Sequence, residues 1–281
     1  MNVTVSHIRS ALQECYPPRE AANLSRIVCC EMLGQSHIDY YLGKDIALSS
    51  KNEQELDDIL TRLCNFEPLQ YIEGRARFLG RDFCVTPAVL IPRPETEELV
   101  AAAAAGAVAG AAALDVGTGS GCIAVSLARL IPDARVTAVD LSPQALAVAR
   151  RNAVRLGAEV RFVQADALAG LHELPDAAFD LIVSNPPYVP QSDRAAMHVN
   201  VRDYEPPEAL FVPDDDPLRF YRAIGRAARR LLRPDGRLWF EIYERLADET
   251  ARLLADEGFG DIAVRRDIND KPRILCCTAR K

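Results

Sequence analysis

The chain has 281 residues, of which 49% are hydrophobic and 26% charged, a composition typical of a folded globular protein. Its formal net charge of −7 argues against a broad surface for the phosphate backbone of nucleic acids. Residues 1–10 lack the apolar core of a signal peptide, and the alanine-rich run 101–113 is too short to span a bilayer. We therefore expect a cytoplasmic protein with one domain of ordinary size and one small domain.

The eight cysteines are scattered and include no C-x-x-C pair. This spacing favours neither a zinc site nor a disulfide framework. Reduced and mostly buried thiols are the expectation.

Residues 1–75 are expected to form a small all-helical domain. Apolar residues recur at helical spacing in 3–14, 20–33, 37–42 and 53–66, and prolines and glycines separate these segments. The alternating segment 77–85 predicts a β-hairpin that turns at Gly80-Arg81, within a linker of residues 76–92. A helix is then expected to begin at Pro94, a residue that suits the first helical position.

Strands and helices alternate through residues 93–281, which indicates an α/β domain with a doubly wound sheet. Seven strands are predicted. Because no helix precedes the last one, it is expected to return antiparallel at the edge of the sheet.

A glycine loop follows the first of these strands, residues 113–116. The glycines allow close approach of a nucleoside to the backbone. The next strand ends in Asp140, a carboxylate placed to accept hydrogen bonds from ribose hydroxyls. We therefore predict a nucleoside cofactor at Asp140 and at the loop Gly117-Thr118-Gly119-Ser120-Gly121.

The most informative motif is Asn185-Pro186-Pro187-Tyr188, which follows the apolar run 179–184. That run is typical of a buried parallel strand, and ligands of such sheets bind beyond the carboxyl ends of strands. The side-chain carbonyl of Asn185 and the carbonyl of Pro186 could accept hydrogen bonds from both protons of a planar NH2 group. The Tyr188 ring could cover one face of that group. Asn185, Pro186 and Tyr188 are therefore the predicted catalytic residues.

The predicted substrate site is wider. It contains the whole tetrapeptide, including Pro187, and Arg93 and Glu97 as further lining residues. For Arg93 and Glu97, helix capping and surface pairing explain the sequence equally well.

The loop reads G-x-G-x-G, not the dinucleotide pattern G-x-G-x-x-G, and Cys122 follows it directly. In this it resembles the class I S-adenosylmethionine-dependent methyltransferases. The resemblance implies Asp115 near the methionine moiety, and Asp166 and Ala167 at the adenine. Asn185 is also expected to touch the cofactor.

Segments 74–80, 89–97, 115–121, 184–189 and 203–206 follow one another as in the bacterial peptide chain release factor glutamine N5-methyltransferases. The chain resembles that family over nearly its full length. The resemblance implies methyl transfer from S-adenosylmethionine to the glutamine of the Gly-Gly-Gln motif in class 1 release factors, with S-adenosylhomocysteine as product. It also implies a helical domain that helps bind the factor. Glu241-Ile242-Tyr243 departs from the more usual Glu-Ile-Gly.

Three alternatives remain open at this point. The tetrapeptide also suits methylation of adenine N6 in nucleic acid, although the acidic composition argues against it. A dinucleotide oxidoreductase and a helical adaptor with a relict nucleoside fold are the others; the glycine spacing disfavours the first, and the intact loop disfavours the second. A monomer with no nucleic-acid, membrane or metal partner is expected.

Overall fold

The computed structural model describes residues 2–3 and 5–280 and divides into two compact units. The helical unit comprises the described residues up to Gly74 together with Val199–Tyr204, and the sheet unit comprises Arg75–His198 and the chain from Glu205 onward. Two assignments differ from the sequence prediction. The hairpin expected in a linker belongs to the sheet unit, and Val199–Tyr204 groups with the helical unit. No helix of the described residues is long and apolar enough to cross a membrane.

Five helices and one short strand pair form the N-terminal part of the helical unit. The helices are α1 Val5–Gln13, α2 Pro18–Ile27, α3 His37–Tyr41, α4 Ser50–Cys64 and α5 Leu69–Glu73, and a π-helical turn Val28–Met32 continues α2. The strands β1 Asn2–Val3 and β2 Ile46–Ala47 pair antiparallel, a feature that the sequence analysis did not include. Apolar side chains at helical spacing, such as Ile8, Leu12 and Leu63, fill the core of this unit.

Cys15 and Cys64 form a disulfide, so the expectation that all cysteines are reduced is wrong for this pair. The two residues are 49 apart in sequence, but their Cα atoms lie 5.4 Å apart because the ends of α1 and α4 pack together. The Tyr16 hydroxyl donates to the Leu63 carbonyl at 2.6 Å beside this contact. The other six cysteines are free thiols.

The sheet unit begins with a hairpin and continues with alternating strands and helices. In chain order its elements are β3 Arg75–Phe78, β4 Arg81–Cys84, α6 Pro94–Ala105, β5 Ala112–Val116, α7 Cys122–Leu130, β6 Arg135–Asp140, α8 Pro143–Arg155, β7 Val160–Gln164, β8 Phe179–Ser184, β9 Val189–Pro190, β10 Phe211–Val212, α10 Arg219–Leu231, β11 Leu232–Glu241, α11 Ala247–Asp256, β12 Phe259–Arg266 and β13 Pro272–Ala279, with α9 Val199–Arg202 belonging to the helical unit. The hairpin turns at Leu79 and Gly80, which both have positive φ, and not at Gly80-Arg81.

Seven strands form one sheet in the order β12-β13-β11-β8-β5-β6-β7. The last strand, β13, is antiparallel to both of its neighbours, as predicted, but it lies between β11 and β12 and not at the edge. β12 occupies the edge because β12 and β13 form a hairpin that joins the sheet through β13. The other pairs in this sheet are parallel.

β11 contains an irregular stretch at Pro234-Asp235-Gly236, residues that are typical of a turn. The strand starts at Leu232, and its register against β8 shifts between Leu232 and Arg237. Asp235 has a φ of 62° within this irregular stretch. The segment is therefore a bulge within β11.

Helices cover both faces of the sheet. Alternate residues of the central strands, such as Leu114 and Ala113, pack into two separate apolar clusters. One cluster includes Tyr221 of α10, and the other includes Leu127 of α7. Both faces are apolar and buried, and the buried carboxylates Asp115 and Glu241 lie at or next to the carboxyl ends of their strands.

Candidate active site

A cavity of about 550 Å³ opens beyond the carboxyl ends of β5, β6, β7 and β8. This volume lies within the range typical of small-molecule sites. The predicted site residues that line it are Arg93, Gly117, Thr118, Gly119, Ser120, Asp140, Asp166, Ala167, Asn185, Pro186 and Pro187. Four others, Glu97, Asp115, Gly121 and Tyr188, are not among its lining residues.

The glycine loop faces the cavity with its backbone. The N–H groups of Gly117 and Thr118 donate to the Val139 carbonyl at 2.9 and 3.0 Å, which ties the loop to the end of β6. Gly117 and Gly119 have φ values of 75° and 53°, and a Cβ at either would meet nothing within 4 Å. Their backbones therefore border open space, where a ligand can approach closely.

Gly121 has a different role from the other two glycines. Its φ is 80°, and it directly precedes α7. A Cβ at this position would come within 3.0 Å of the Ala149 Cβ on α8. We therefore assign Gly121 to the close packing of α7 on α8 and not to ligand contact.

Asp140 connects the glycine loop to the start of α8. Its Oδ2 accepts from the Gly119 N–H at 2.8 Å, and its Oδ1 accepts from the Ser142 N–H at 2.9 Å. Burial raises the pKa of Asp140, although these two N–H donors act in the opposite direction. Each carboxylate oxygen retains a second lone pair for a ligand hydroxyl.

Asp115 lies behind the loop, not at the cavity. It is fully buried, and its Oδ2 accepts from the Thr118 hydroxyl at 2.6 Å and from the Ala124 N–H at 3.1 Å. Its Oδ1 is buried without a hydrogen-bond partner, and burial raises its pKa to about 7. The structure thus gives Asp115 the role of fixing the loop to the first turn of α7.

Asn152 of α8 is a polar residue of the site that the sequence analysis missed. It is fully buried, and its Oδ1 accepts from the Cys84 N–H at 2.7 Å. Its Nδ2 donates to the carbonyls of Cys84 and Ser120 at 2.9 and 2.8 Å. It joins strand β4 to the glycine loop, a long-range contact without a local sequence signal.

Asn185 emerges at the end of β8 beside the glycine loop. The preceding residue, Ser184, donates its hydroxyl to the Val116 carbonyl at 2.6 Å and so ties β8 to β5. The Asn185 Nδ2 donates to the Thr96 hydroxyl oxygen at 3.1 Å, and Thr96 donates to Glu241 Oε2 at 2.6 Å. The side chain of Asn185 is thereby held on α6 and β11.

Glu241 was also missed, although a carboxylate at the end of a central strand is a recognisable signal. It is 1% exposed at the end of β11. Burial raises its pKa, while the hydroxyls of Thr96 and Tyr188 and the charge of Arg273 act to lower it. It is the acceptor for two hydroxyls of the site.

The Tyr188 hydroxyl donates to Glu241 Oε1 at 2.9 Å. Its ring stacks on the Tyr243 ring with centroids 5.9 Å apart and an interplanar angle of 17°. Tyr243 in turn donates its hydroxyl to Asp193. Tyr243, the departure from Glu-Ile-Gly, therefore supports Tyr188 from one side.

Of the two further predicted residues, Arg93 and Glu97, only Arg93 lines the cavity. Arg93 lines the cavity and pairs with buried Glu205, whose Oε2 accepts from the Ile91 N–H at 3.0 Å. Glu97 accepts from the Leu79 N–H at 2.9 Å, so it holds the hairpin turn.

At the opposite wall, Asp166 accepts from the Leu168 N–H at 2.8 Å and caps the 3-10 turn Ala167–Ala169. Both Asp166 and Ala167 face the cavity. Asp166 therefore presents a carboxylate to the cavity next to the small apolar side chains of Ala165 and Ala167.

Comparisons with known proteins agree with this architecture. A methyltransferase domain model matches residues 113–204, and a PrmC N-terminal domain model matches residues 4–74. The release factor glutamine methyltransferase of Bacteroides thetaiotaomicron is 48% identical, over 98% of this chain and 99% of its own length. Those of Flavobacterium psychrophilum and Chlorobaculum tepidum are 38% and 41% identical, over 94% of this chain in both cases and over 94% and 91% of their own lengths.

Two solved structures show the same fold at low sequence identity. A methyltransferase from Pyrococcus furiosus has a TM-score of 0.54 at 19% identity and covers 83% of this chain and 100% of its own. The 16S rRNA N2 G1207 methyltransferase of Thermus thermophilus has a TM-score of 0.54 at 23% identity and covers 73% of this chain and 50% of its own.

The seven-stranded sheet and the cavity at its strand ends define this protein as a methyltransferase. The full-length relatives refine this class. The chain belongs to the release factor glutamine methyltransferase family.

The raised pKa of Asp115 predicts a pH-dependent stability. The folded-state pKa of about 7 lies above the ordinary value of 3.8, so the unfolded chain ionises first and stability is lost as pH rises between these values. Replacing Asp115 by Asn removes this loss. Between pH 5 and pH 8, the free energy of unfolding of Asp115→Asn relative to wild type should rise by about 2–3 kcal/mol.

Urea denaturation at the two pH values measures this difference. The exposed Asp133, changed to Asn, serves as the control for the loss of one carboxylate at the surface. A difference between Asp115→Asn and wild type that is the same at both pH values would contradict a buried, protonatable Asp115.

Proposed function

We propose that the protein transfers a methyl group from S-adenosylmethionine to the side-chain amide nitrogen of the glutamine in the Gly-Gly-Gln motif of class 1 release factors, leaving S-adenosylhomocysteine. The observation that carries this proposal is the position and hydrogen bonding of the Asn185 side chain. It lines the cavity, and its Nδ2 is committed to Thr96, so its Oδ1 is the group left to accept from a substrate NH2. The shared name of the full-length relatives supports the choice of substrate.

The residues at the cavity suit the proposed cofactor. S-adenosylmethionine supplies, when bound, an electrophilic methyl group on a positively charged sulfur. The backbones of Gly117 and Gly119 border open space, Asp140 offers acceptors to ribose hydroxyls, and Asp166 offers one to an adenine amino group. The small side chains of Ala165 and Ala167 leave room for a flat ring between these groups.

The proposed chemistry depends on orientation and not on a strong base. An amide nitrogen is a poor nucleophile because its lone pair is delocalised. Asn185 Oδ1 and the Pro186 carbonyl would accept hydrogen bonds from its two N–H groups and so stabilise the positive charge that develops on nitrogen. Holding the nitrogen in line with the methyl group supplies the rest of the rate acceleration. One proton then leaves to water, since neither carbonyl is basic enough to keep it.

Tyr188 is not suited to act as the base. Burial and the neighbouring Glu241 raise its pKa well above 10, so the phenol stays protonated at neutral pH. Its hydroxyl proton is already donated to Glu241. Its proposed part is to pack beside the substrate amide.

We further propose that the helical unit contacts the release factor through the face formed by Ile38, Tyr41 and Leu42 of α3 and its C-terminal end. These side chains are 73%, 74% and 66% exposed. Three large apolar side chains exposed together are typical of a protein contact surface. On this proposal the partner is a protein of the cytoplasm and not nucleic acid.

Locating a labelled methyl group tests the main proposal. The protein is incubated with methyl-labelled S-adenosylmethionine and either a class 1 release factor or DNA, and the label is mapped by mass spectrometry. We expect it on the Gly-Gly-Gln glutamine, and on no residue of a factor whose Gly-Gly-Gln glutamine is replaced by alanine. Label on adenine, or none on the factor, would refute the proposed substrate.

The second prediction concerns Asn185. Asn185→Ala removes the proposed acceptor and should lower kcat on the release factor by about 10²–10³. Calorimetry should show a much smaller change in cofactor affinity, because Gly117 and Asp140 remain in place. Exposed Asn269, changed to alanine, is the matched control and should leave both values unchanged. A near-native kcat for Asn185→Ala would mean that the tetrapeptide is only a structural turn.

The third prediction concerns the exposed face of α3. The double change Ile38→Ser and Tyr41→Ser should raise KM for the intact factor about tenfold, the effect of losing about 1.4 kcal/mol of contact energy. Cofactor affinity should not change. Val108 of the sheet unit is 71% exposed, and Val108→Ser controls for loss of an exposed apolar group. Equal KM values for the α3 variant and wild type would exclude this face from factor binding.

A further inference from the structure

A chain of hydrogen bonds leads from Asn185 to a buried carboxylate. Asn185 Nδ2 lies 3.1 Å from the Thr96 hydroxyl oxygen, and that oxygen lies 2.6 Å from Glu241 Oε2. Thr96 and Glu241 are 2% and 1% exposed, so solvent does not substitute for either partner. Neither residue is among those that the sequence motif assigns to the reaction.

The direction of each bond in this chain is determined by the number of protons available. Glu241 accepts at both oxygens, from the Thr96 hydroxyl at Oε2 and from the Tyr188 hydroxyl at Oε1. A threonine hydroxyl carries one proton, and the Thr96 hydroxyl donates it in the hydrogen bond to Glu241. The Thr96 oxygen can therefore only accept from Asn185.

This direction has a consequence for the catalytic amide. The two ends of an asparagine amide have nearly the same shape, and only the hydrogen-bond partners distinguish them. With Thr96 restricted to accepting, the NH2 end of Asn185 must face Thr96. The reversed amide would place two acceptor oxygens against each other with no proton between them.

We propose that Thr96 and Glu241 are positioning residues that fix the amide orientation of Asn185, so that its Oδ1 is presented to the substrate NH2. The inference rests on the proposed function of Asn185. It adds that the acceptor is set by a buried hydroxyl and carboxylate on α6 and β11, outside the tetrapeptide. The substrate specificity follows, since an Oδ1 acceptor selects a group with N–H donors, whereas a reversed amide would select an acceptor.

Thr96→Val tests the hydroxyl directly, because valine keeps the branched shape and removes the oxygen. We expect kcat to fall about 10–100-fold, as is usual when the partner that orients a reacting group is lost. KM for the cofactor should stay within about twofold of wild type, since the glycine loop is untouched. Thr96→Ser retains the hydroxyl and should recover most of the lost kcat.

A matched control separates this effect from the loss of any buried hydroxyl. Thr250 is fully buried in the same unit, and its hydroxyl donates to the Leu246 carbonyl at 2.7 Å within its own helical segment. Thr250→Val should lower stability to a similar extent but leave kcat unchanged. Equal losses of kcat in Thr96→Val and Thr250→Val would overturn the inference.

A double-mutant cycle shows whether Thr96 acts through Asn185. In the Asn185→Ala background, Thr96→Val should cause no further loss of kcat, because there is no amide left to orient. Independent, multiplying losses would indicate a structural role and overturn the proposal. Should Thr96→Val not fold, Glu241→Gln decides through the same cycle, because a glutamine NH2 can donate to Thr96 and release the hydroxyl proton towards Asn185.

The outcomes also separate this inference from the proposed function. Wild-type protein that does not label the glutamine refutes the function. Wild-type protein that labels it, together with an inactive Asn185→Ala and a fully active Thr96→Val, refutes only the positioning role.

Discussion

The parallel register of three central strands sets the relative positions of the glycine loop, Asn185 and Glu241. Ser184 of β8 is paired with Val116 of β5 on one side and with Phe240 of β11 on the other. The next residues, Gly117, Asn185 and Glu241, therefore lie at the same level at the carboxyl ends of these strands. A shift of one residue in either pairing would turn alternate side chains to the opposite face and separate these groups. The hydroxyl of Ser184, bonded to the Val116 carbonyl, strengthens this alignment at the point where it matters.

Two buried carboxylates stand behind the groups that face the cavity. Asp115 lies behind the glycine loop and Glu241 behind Asn185, and each accepts a threonine hydroxyl at 2.6 Å. Burying a carboxylate is unfavourable unless hydrogen bonds compensate, and the raised pKa of both groups reflects that burial. The common result is that a flexible element, a glycine loop or an amide side chain, has one permitted arrangement. We interpret both carboxylates as groups that reduce stability and increase order at the site.

Sequence reasoning succeeded where the signal is local. The glycine loop, the strand end at Asn185 and the helix start at Pro94 each depend on a few consecutive residues, and the fold class follows from their alternation. It failed where the partners are distant: Thr96 and Glu241 are 145 residues apart, and Cys15 and Cys64 are 49 apart. The place of β13 inside the sheet was missed for the same reason, because it depends on which edge the β12–β13 hairpin joins. The direction of the Tyr188 hydroxyl could not be inferred either, since it follows from the position of β11 relative to β8.

The titratable groups of the site have properties that favour orientation over proton abstraction. Tyr188 keeps its proton because burial and Glu241 raise its pKa. Glu241 is buried and already accepts hydrogen bonds from two hydroxyls. Asp140 accepts from two backbone N–H groups of the loop and of the α8 start. With these carboxylates and the phenol committed to hydrogen bonds within the protein, the proposed reaction relies on neutral acceptors that hold the amide in line. A site of this kind gains rate from accurate placement and from acceptors that stabilise the charge developing on nitrogen, so the residues that set the direction of one amide contribute to both effects.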